Sequence, residues 1–245
     1  MKHIVYRIIR AIAARVTPVY QIEGAENLPD GPAIVIGNHS QAFGPIAAEI
    51  YFPKEPHYTW CISDMMEKDC VADYAYSDFW SRKPALVRPI FRLFSYMLPT
   101  ISEIVFTNAD TLPVYRDKRI MKTFQLSCEK LEQGAAIVIF PEEYAEYNNI
   151  VHRFQKGFVH MAKYYYRQTK KSVPFVPMYL CPELGKMVFG KPIWYSPELP
   201  ADKEAERICT YLQDAISELA YELPRHHVVP YPNVSKRNYP VNERI

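Results

Sequence analysis

The sequence predicts an α/β domain in which helices flank a mostly parallel sheet. Short apolar runs alternate along the chain with longer segments whose apolar residues recur at helical spacing. The run AAIVIF over 135–140 has no polar member, which is typical of a strand buried on both faces of a parallel sheet. Strands that alternate with helices are the pattern of such layered domains. With 245 residues, no internal repeat and no low-complexity linker, the chain fits one main domain.

The N-terminal segment, residues 1–20, is predicted to form a basic amphipathic helix. Its apolar side chains recur at helical spacing, and positive charge comes from Lys2, Arg7, Arg10 and Arg15. Two of these, Arg7 and Arg10, interrupt the apolar centre that a signal peptide would have. Two placements are open for this helix: on an anionic membrane surface, or packed against its own domain. We treat it as a candidate membrane-associating helix that precedes the main domain, 21–223.

Strands and helices alternate through the main domain. The helix over 117–133 is the clearest, because its apolar residues share one face and Gly134 follows as a C-terminal stop. Short apolar runs are predicted as strands and longer periodic segments as helices. The strands are 33–37, 57–62, 102–106, 111–115, 135–140, 173–180 and 186–189, and the other helices are 45–51, 157–168 and 201–223.

Two further segments lack a clear period. Residues 65–99 are rich in aromatic side chains, and their part WSRKPALVRPIFRLFSYMLP places four positive charges among apolar residues (Arg82, Lys83, Arg88 and Arg92). That composition suits contact with a membrane and equally suits a helix that covers the core. The tail over 224–245 contains four prolines, so it either wraps the surface or is disordered.

Composition argues against several classes of function. The net charge of +2 does not indicate nucleic-acid binding, and no run of about 20 apolar residues is present that would span a membrane. The sequence has no Gly-rich phosphate loop, no GxSxG turn, and no His or Cys spacing that indicates a metal site. Its five scattered cysteines lack a CxxC pair and, without a secretory signal, are expected to be reduced cytosolic thiols.

Polar residues follow three of the predicted strands. Asn38 and His39 follow the first buried strand, Arg116 follows TLPVY, and Glu142 and Glu143 follow AAIVIF. Functional groups of such sheets gather beyond the carboxyl ends of the strands, so we expect these residues to converge. A histidine can take a proton from an attacking hydroxyl, and an arginine can hold a phosphate with two hydrogen bonds. The combination suits a phosphorylated alcohol as the acceptor of an activated acyl group.

Sequence blocks spread over most of the chain carry a resemblance to a known family. They are ENLPDGPAIVIGNHS (26–40), LPVYR (112–116), IVIFPEE (137–143), FQKGFVHMA (154–162), VPFVPMYL (173–180) and VFGKPI (188–193). In this order they resemble the glycerolipid acyltransferase family, whose best-known members are the 1-acylglycerol-3-phosphate (lysophosphatidic acid) acyltransferases. The resemblance implies the layered fold of that family, with a mostly parallel sheet flanked by helices.

The resemblance also implies an activity and a set of site residues. It implies an O-acyltransferase that moves a fatty acyl group from acyl-CoA or acyl carrier protein to a hydroxyl of a glycerolipid such as lysophosphatidic acid. In that scheme His39 is the general base, and Asn38, Arg116, Glu142 and Pro177 bind substrate. The thioester is a co-substrate, so neither a cofactor nor a metal is implied. Because acceptor and product reside in a bilayer, a peripheral protein on the cytoplasmic face of the membrane is expected.

Two residues depart from the family's pattern. Gly44 stands five positions after His39, where the family has an aspartate that orients the histidine, and Glu143 stands where the family has glycine. Glu143 is therefore a candidate substitute acid, and Gly44→Asp a candidate change to raise activity. The chain between His39 and Arg116 is longer than usual, which implies an insertion within 54–108. The alternatives are a catalytically impaired lipid-binding protein of the same fold and acyl transfer to an unusual acceptor, such as a glycolipid or an amine.

Overall fold

Helices and strands alternate along most of the chain, as predicted. The computed structural model describes residues 2–81 and 83–244, apart from the side chains of Lys2, Asp78 and Phe79, so Arg82 of the aromatic segment lies outside it. The strands are β1 (Gln21–Glu23), β2 (Ala33–Gly37), β3 (His57–Ile62), β4 (Thr111–Val114), β5 (Ala136–Ile139), β6 (Glu142–Tyr147), β7 (His152–Phe154), β8 (Pro174–Cys181), β9 (Lys186–Phe189) and β10 (Ile193–Trp194). The α-helices are α1 (Lys2–Val16), α2 (Phe43–Tyr51), α3 (Lys68–Ala75), α4 (Arg88–Ser95), α5 (Leu98–Asn108), α6 (Ile120–Glu132), α7 (Gly157–Thr169) and α8 (Ala201–Glu222).

The main sheet has the strand order β1-β9-β8-β2-β5-β3-β4, with β10 also paired to β8. The central strand β2 is parallel to β5 on one side and to β8 on the other, and β3 is parallel to both β5 and β4. The pairings of β8 with β9 and with β10 are antiparallel, and β6 and β7 form a separate antiparallel hairpin. Parallel pairs dominate, so the carboxyl ends of β2, β3, β4, β5 and β8 lie at one edge of the sheet. The predicted fold class is confirmed.

Helices cover both faces of the central strands. On one face Ile34 packs in a cluster that includes Phe158 of α7 and Ile216 of α8. On the other face Val35 packs in a cluster that includes Ala48 of α2. Every residue of β2 and β5 is buried, and a strand buried on both faces has no position for a polar side chain. This is the physical reason for the uninterrupted apolar runs in the sequence.

The strand predicted over 102–106 is wrong, because this segment lies inside helix α5. Pro99 stands in the first turn of α5, where a missing backbone N–H breaks no helical hydrogen bond. Ser102 is buried and its hydroxyl donates to the backbone carbonyl of Met65. A run of five residues is too short for its period to separate a helix from a strand. Packing of α5 against α3 and α1 stabilises the helix.

The aromatic segment is helical throughout most of its length. A single π-helical turn, Tyr76–Trp80, joins α3 to the loop before α4. Helices α3, α4 and α5 occupy much of 54–108, the range in which the insertion is predicted. None of the described helices is by itself long and apolar enough to cross a membrane, whereas α4 and α5, bent by 46° at their junction, meet that criterion as a pair.

Helix α1 packs on the domain along one side and faces outward along the other. Tyr6 is buried and its hydroxyl donates to Glu49 of α2, and Arg10 forms an ion pair with the same carboxylate at 3.5 Å. Ile8 and Ile12, on the outer side, are more than half exposed. The helix therefore packs on its own domain and still presents an apolar face to its surroundings.

The tail follows the surface of the domain, which was one of its two predicted outcomes. The backbone N–H of His226 donates to the side-chain oxygen of Asn242 at 2.8 Å, and the N–H of Asn242 donates to the carbonyl of His226 at 3.1 Å. These bonds close the base of a loop. The ring of His226 is buried and lies within hydrogen-bond distance, 2.8 Å, of the Tyr179 hydroxyl on β8. Residues 226–242 are called the C-terminal loop below.

Candidate active site

The predicted site residues other than Pro177 lie at the carboxyl edge of the sheet. His39 follows the central strand β2 and Glu142 follows the adjacent strand β5, so their loops are in direct contact. Arg116 follows β4, which two strands separate from β2, and at about 4.8 Å per strand this places it about 14 Å away along the sheet. The guanidinium of Arg116 is exposed, and the described residues offer it neither a hydrogen bond nor an ion pair.

Asn38 fastens the turn that carries His39 to strand β8. Its side-chain oxygen accepts the backbone N–H of Leu180 at 2.7 Å. Its side-chain nitrogen donates to the carbonyl of Leu180 at 3.0 Å and to the hydroxyl of Ser40 at 2.8 Å. The residue is 1% exposed, so these bonds form away from solvent. The contacts indicate a holding role for Asn38, and substrate binding by its amide stays a prediction.

The turn after His39 has an unusual backbone. Ser40 and Gln41 have φ values of 47° and 54°, in the left-handed region that costs a non-glycine residue about 1 kcal/mol or more. The turn curls back so that the carbonyl oxygen of Gln41 lies 2.5 Å from Nδ1 of His39. A carbonyl oxygen can only accept, so Nδ1 carries the proton of the neutral ring, and Nε2 is left as the basic nitrogen.

Gly44 closes the turn onto the start of α2. Its N–H donates to the carbonyl of His39 at 3.1 Å. A Cβ atom added to Gly44 would lie 2.4 Å from that same oxygen and 3.0 Å from Cε1 of Phe140. Packed atoms do not approach so closely, so any side chain at this position would displace the His39 peptide. The turn as folded has no room for an aspartate side chain at position 44.

Glu142 holds the backbone of two histidines with one carboxylate. It is buried, and its two oxygens accept the N–H of His39 at 2.6 Å and the N–H of His152 at 2.8 Å. Burial raises the pKa of Glu142 to about 7, although both N–H groups favour the charged form and lower it. These bonds fix the relative positions of the β2 turn and the β6–β7 hairpin. Acceptor binding by Glu142 stays a prediction.

The carboxylate of Glu143, the candidate substitute acid, is engaged on the hairpin. Nε of Arg153 donates to it at 2.6 Å, and the same arginine also contacts Glu146 at 3.5 Å. A pairing of Glu143 with His39 would have to compete with this ion pair. The substitute-acid hypothesis therefore stays a prediction, while the Gln41 carbonyl already occupies the position of an acceptor for Nδ1 of His39.

Two aromatic rings contact the ring of His39. Its ring meets Phe140 edge to face at a centroid distance of 5.6 Å and Tyr231 of the C-terminal loop at 5.2 Å. Tyr231 also contacts the ring of His152 at 6.2 Å, and His152 stacks on Tyr147 at 4.3 Å. Sequence reasoning missed both Tyr231 and His152. The aperiodic tail gave no signal for the first, and the second lies on a hairpin that was not predicted.

Pro177 lies inside strand β8 rather than on the loop beyond it. It is buried level with Ile36 of β2, and its carbonyl accepts the N–H of Gly190 at 2.8 Å. A Cβ atom added to Gly190 would lie 2.9 Å from Cγ of Pro177. These contacts place Pro177 in the wall that supports the end of β2, and direct contact with substrate stays a prediction.

A surface cavity of about 660 Å³ opens beside Glu143, between the β6–β7 hairpin and α8. Two ion pairs lie on its wall, Arg153 with Glu143 and Lys156 with Glu206. Charges of both signs suit a polar group better than an acyl chain. Within residues 2–81 and 83–244 no three His, Cys, Asp or Glu side chains gather as a metal site would require.

Comparison with known proteins finds similarity in structure. No family model matches the chain, and no curated protein matches its sequence. The fold is similar to that of the crystal structure of the 1-acyl-sn-glycerophosphate (LPA) acyltransferase PlsC from Thermotoga maritima, with a TM-score of 0.52 and 16% sequence identity. The match covers 91% of this chain and 83% of that chain. At this identity the likeness establishes the fold, and it agrees with the layered fold that the sequence blocks imply.

Proposed function

We propose that the protein is an O-acyltransferase that moves a fatty acyl group from the thioester of acyl-CoA or acyl carrier protein to a hydroxyl of a glycerolipid such as lysophosphatidic acid. The observation that carries the proposal is the state of His39. Its Nδ1 faces the Gln41 carbonyl at 2.5 Å, at the carboxyl edge of a parallel sheet, which leaves Nε2 to act as a base. The shared fold with the Thermotoga maritima enzyme supports the same activity.

The reaction needs one proton transfer in each direction. Nε2 of His39 takes the proton of the acceptor hydroxyl while the hydroxyl oxygen attacks the thioester carbonyl carbon. The tetrahedral intermediate then collapses, the C–S bond breaks, and the imidazolium returns its proton to the leaving thiolate. The products are an ester and a free thiol, so no oxidant, reductant or cofactor is consumed.

The imidazolium in this scheme is stabilised by a backbone dipole rather than by a carboxylate. In serine proteases, loss of the orienting acid costs about 10⁴-fold, largely because the wrong tautomer of the histidine forms. In the His39 turn the carbonyl of Gln41 selects the correct tautomer, since it accepts only from a protonated Nδ1. What is lost is the charge of the acid, so we expect a working base with weaker stabilisation of its charged form.

Acceptor binding is proposed for the groups that remain available at the same edge. Arg116 presents an exposed guanidinium, which can hold a phosphate with two hydrogen bonds. The polar atoms of Asn38 and Glu142 form hydrogen bonds with backbone groups, which supports a role for both residues in holding the His39 turn in place. The residues that fold the turn and the residue that recognises the acceptor would then be different ones.

A bilayer acceptor requires that the protein reach the membrane surface. Large apolar side chains are exposed on the outer face of α1 and on the segment 86–97, which contains α4 and leads into α5. On α1 they are Ile4, Ile8 and Ile12, and on the segment they are Leu86, Ile90, Leu93, Phe94 and Met97. Helix α1 packs against α5, so the two surfaces belong to neighbouring elements. Arg7 and Arg88 lie beside these apolar residues in the chain. We infer peripheral association with an anionic membrane on its cytoplasmic face, through burial of apolar area and attraction of basic residues.

Acyl transfer is tested with purified protein, labelled acyl-CoA or acyl carrier protein, and lysophosphatidic acid. His39→Gln is expected to lower kcat/KM by about 10²- to 10⁴-fold, the range for loss of a general base. His160→Gln, a change to a histidine on α7, is the matched control, and Glu143→Gln tests the substitute acid. Full activity in His39→Gln would overturn the mechanism. Binding of lysophosphatidic acid without transfer would instead indicate the catalytically impaired alternative, and transfer to a glycolipid or amine the third.

Membrane association is tested by sedimentation with phosphatidylcholine vesicles that contain or lack phosphatidylglycerol. Ile8→Glu and Leu93→Glu are each expected to weaken binding about tenfold or more, because an inserted leucine or isoleucine contributes about 1.5–3 kcal/mol. Leu199→Glu, at an exposed leucine before α8, is the control and should bind like the wild type. Equal binding by all four proteins would refute contact through these helices.

A further inference from the structure

The C-terminal loop reaches the candidate active site from a distant part of the chain. The ring of Tyr231 contacts the ring of His39 at a centroid distance of 5.2 Å. The side-chain nitrogen of Gln41 donates to the carbonyl of Pro232 at 3.3 Å. Neighbouring loop residues thus contact the catalytic candidate and the residue whose carbonyl orients it.

We propose that the C-terminal loop is a working part of the active site, in which Tyr231 is a positioning residue that holds the His39 ring while Pro232 holds Gln41. Neither the sequence motifs nor the fold comparison assigns a role to this loop. The proposal deepens the proposed function, because it names what orients the base in a turn that lacks the usual acid.

The loop is suited to hold another group because its own base is fixed. His226 and Asn242 are both buried at the base, and the side-chain nitrogen of Asn242 donates to the carbonyl of Ala220 in α8 at 2.8 Å. Tyr231 stands between Pro230 and Pro232, and both its own backbone and that of its neighbours are restricted by the proline rings. The loop backbone therefore loses little conformational entropy when Tyr231 packs against His39.

The histidine needs such support because its hydrogen bond alone leaves freedom. The torsion between Cβ and the imidazole ring has a broad, roughly two-fold profile, so unless neighbours block rotation the ring can turn over and exchange the positions of Nδ1 and Cδ2. Phe140 and Tyr231 meet the imidazole at interplanar angles of 63° and 60°, in T-shaped contacts. A flipped ring would place Cδ2 at the Gln41 carbonyl, which removes the hydrogen bond that keeps the proton on Nδ1, and would move Nε2 to the position of Cε1.

Gln41 needs support for a related reason. Its φ of 54° lies in a region that non-glycine residues seldom occupy, so its peptide can relax unless something holds it. The bond from its side chain to Pro232 ties the turn to the C-terminal loop from outside. Tyr231 also contacts His152, whose backbone shares the Glu142 carboxylate with that of His39. The ring of Tyr231 and the carboxylate of Glu142 therefore each contact both His39 and His152.

The test measures the state of the His39 ring directly and does not depend on acyl transfer. Protein labelled with ¹⁵N-histidine is examined by long-range ¹H–¹⁵N spectroscopy at a pH where the rings are neutral, and His39→Gln assigns the signals of His39. The wild type is expected to show a protonated Nδ1. Tyr231→Ala is expected to shift the ring towards a mixture of tautomers, whereas Tyr231→Phe, which keeps the ring contacts, should match the wild type. Tyr239→Ala removes another tyrosine of the same loop and should also match it.

Kinetics supply the second readout. Tyr231→Ala is expected to lower kcat by about 10- to 100-fold, as a displaced catalytic group does, while KM changes less than about threefold. Gln41→Ala removes only a surface amide and its bond to Pro232, so it stays informative if Tyr231→Ala does not fold, and it should shift the tautomer in the same direction. Wild-type tautomer signals in Tyr231→Ala and Gln41→Ala would overturn the proposal. If the wild type transfers no acyl group, the proposed function fails, and the spectra still decide the role of the loop.

Discussion

Gly44→Ala isolates the question of whether the His39 turn could hold a side chain at position 44, where an orienting acid was considered. The added methyl carbon would lie 2.4 Å from the carbonyl oxygen of His39 and 3.0 Å from a ring carbon of Phe140. The first of these atoms belongs to the backbone and cannot swing aside. The His39 carbonyl must therefore move, and this displacement also disturbs the preceding peptide unit, whose N–H donates to Glu142 at 2.6 Å.

The expected cost is a net loss of about 2 kcal/mol in the free energy of unfolding. Overpacking of a well-filled site costs about 1–3 kcal/mol, and weakening of the hydrogen bond from Gly44 to His39 adds about 1 kcal/mol. Replacement of glycine by alanine inside a helix returns up to about 1 kcal/mol. Urea denaturation measures the change, and for a chain of this length a thermal midpoint about 4–8 °C lower should accompany it.

Gly44→Asp should carry the same steric cost and should lower activity rather than raise it. Gly31→Ala is the matched control, because a Cβ atom at Gly31 meets no atom within 4 Å. That control should leave stability unchanged or slightly increased. If Gly44→Asp keeps wild-type stability and transfers acyl groups faster, the turn can accept the acid, and orientation of His39 by the Gln41 carbonyl is refuted.

Three other predictions concern the residues around this turn. Asn38→Ala should cost about 2–4 kcal/mol in urea denaturation, because it leaves the buried N–H and C=O of Leu180 without partners, and a cost below 1 kcal/mol would contradict its holding role. Glu142 has a pKa of about 7 when folded, above its ordinary 4.5, so the folded state retains a proton that the unfolded state has released. The free energy of unfolding should therefore be highest below about pH 4.5 and should be about 3 kcal/mol lower at pH 7. This pH dependence should be absent when urea denaturation of Glu142→Gln is measured over the same range. Glu143→Gln should keep acyl-transfer activity within about threefold of the wild type, because Glu143 pairs with Arg153 at 2.6 Å, and a loss above about 100-fold would support the substitute-acid hypothesis instead.

The central strands and the meeting of two loops were predictable from the sequence. Strands β2 and β5 have apolar side chains at nearly every position because helices cover both faces, and their parallel pairing brings His39 and Glu142 together. The strand predicted over 102–106 was wrong because five residues carry too little periodicity to identify α5.

The orientation of His39 was beyond sequence reasoning for a different reason. Motifs describe side chains, whereas the acceptor for Nδ1 is the backbone carbonyl of Gln41, and every residue has such a carbonyl. Its availability depends on two positive φ values that nothing in Ser40 and Gln41 requires. Tyr231 lies in an aperiodic tail, so no pattern in the chain links it to the turn.

The hydrogen bonds that build the His39 turn connect parts of the chain that are far apart in sequence. Asn38 bonds to a residue 142 positions away, the N–H of His39 to one 103 positions away, and Gln41 to one 191 positions away. Closing such long loops costs entropy before any contact forms, so the turn becomes ordered only when the central strands and the C-terminal loop have assembled. The amide proton of His39 is therefore expected to exchange with deuterium at the rate set by unfolding of the whole domain, which makes it an internal reporter of global stability.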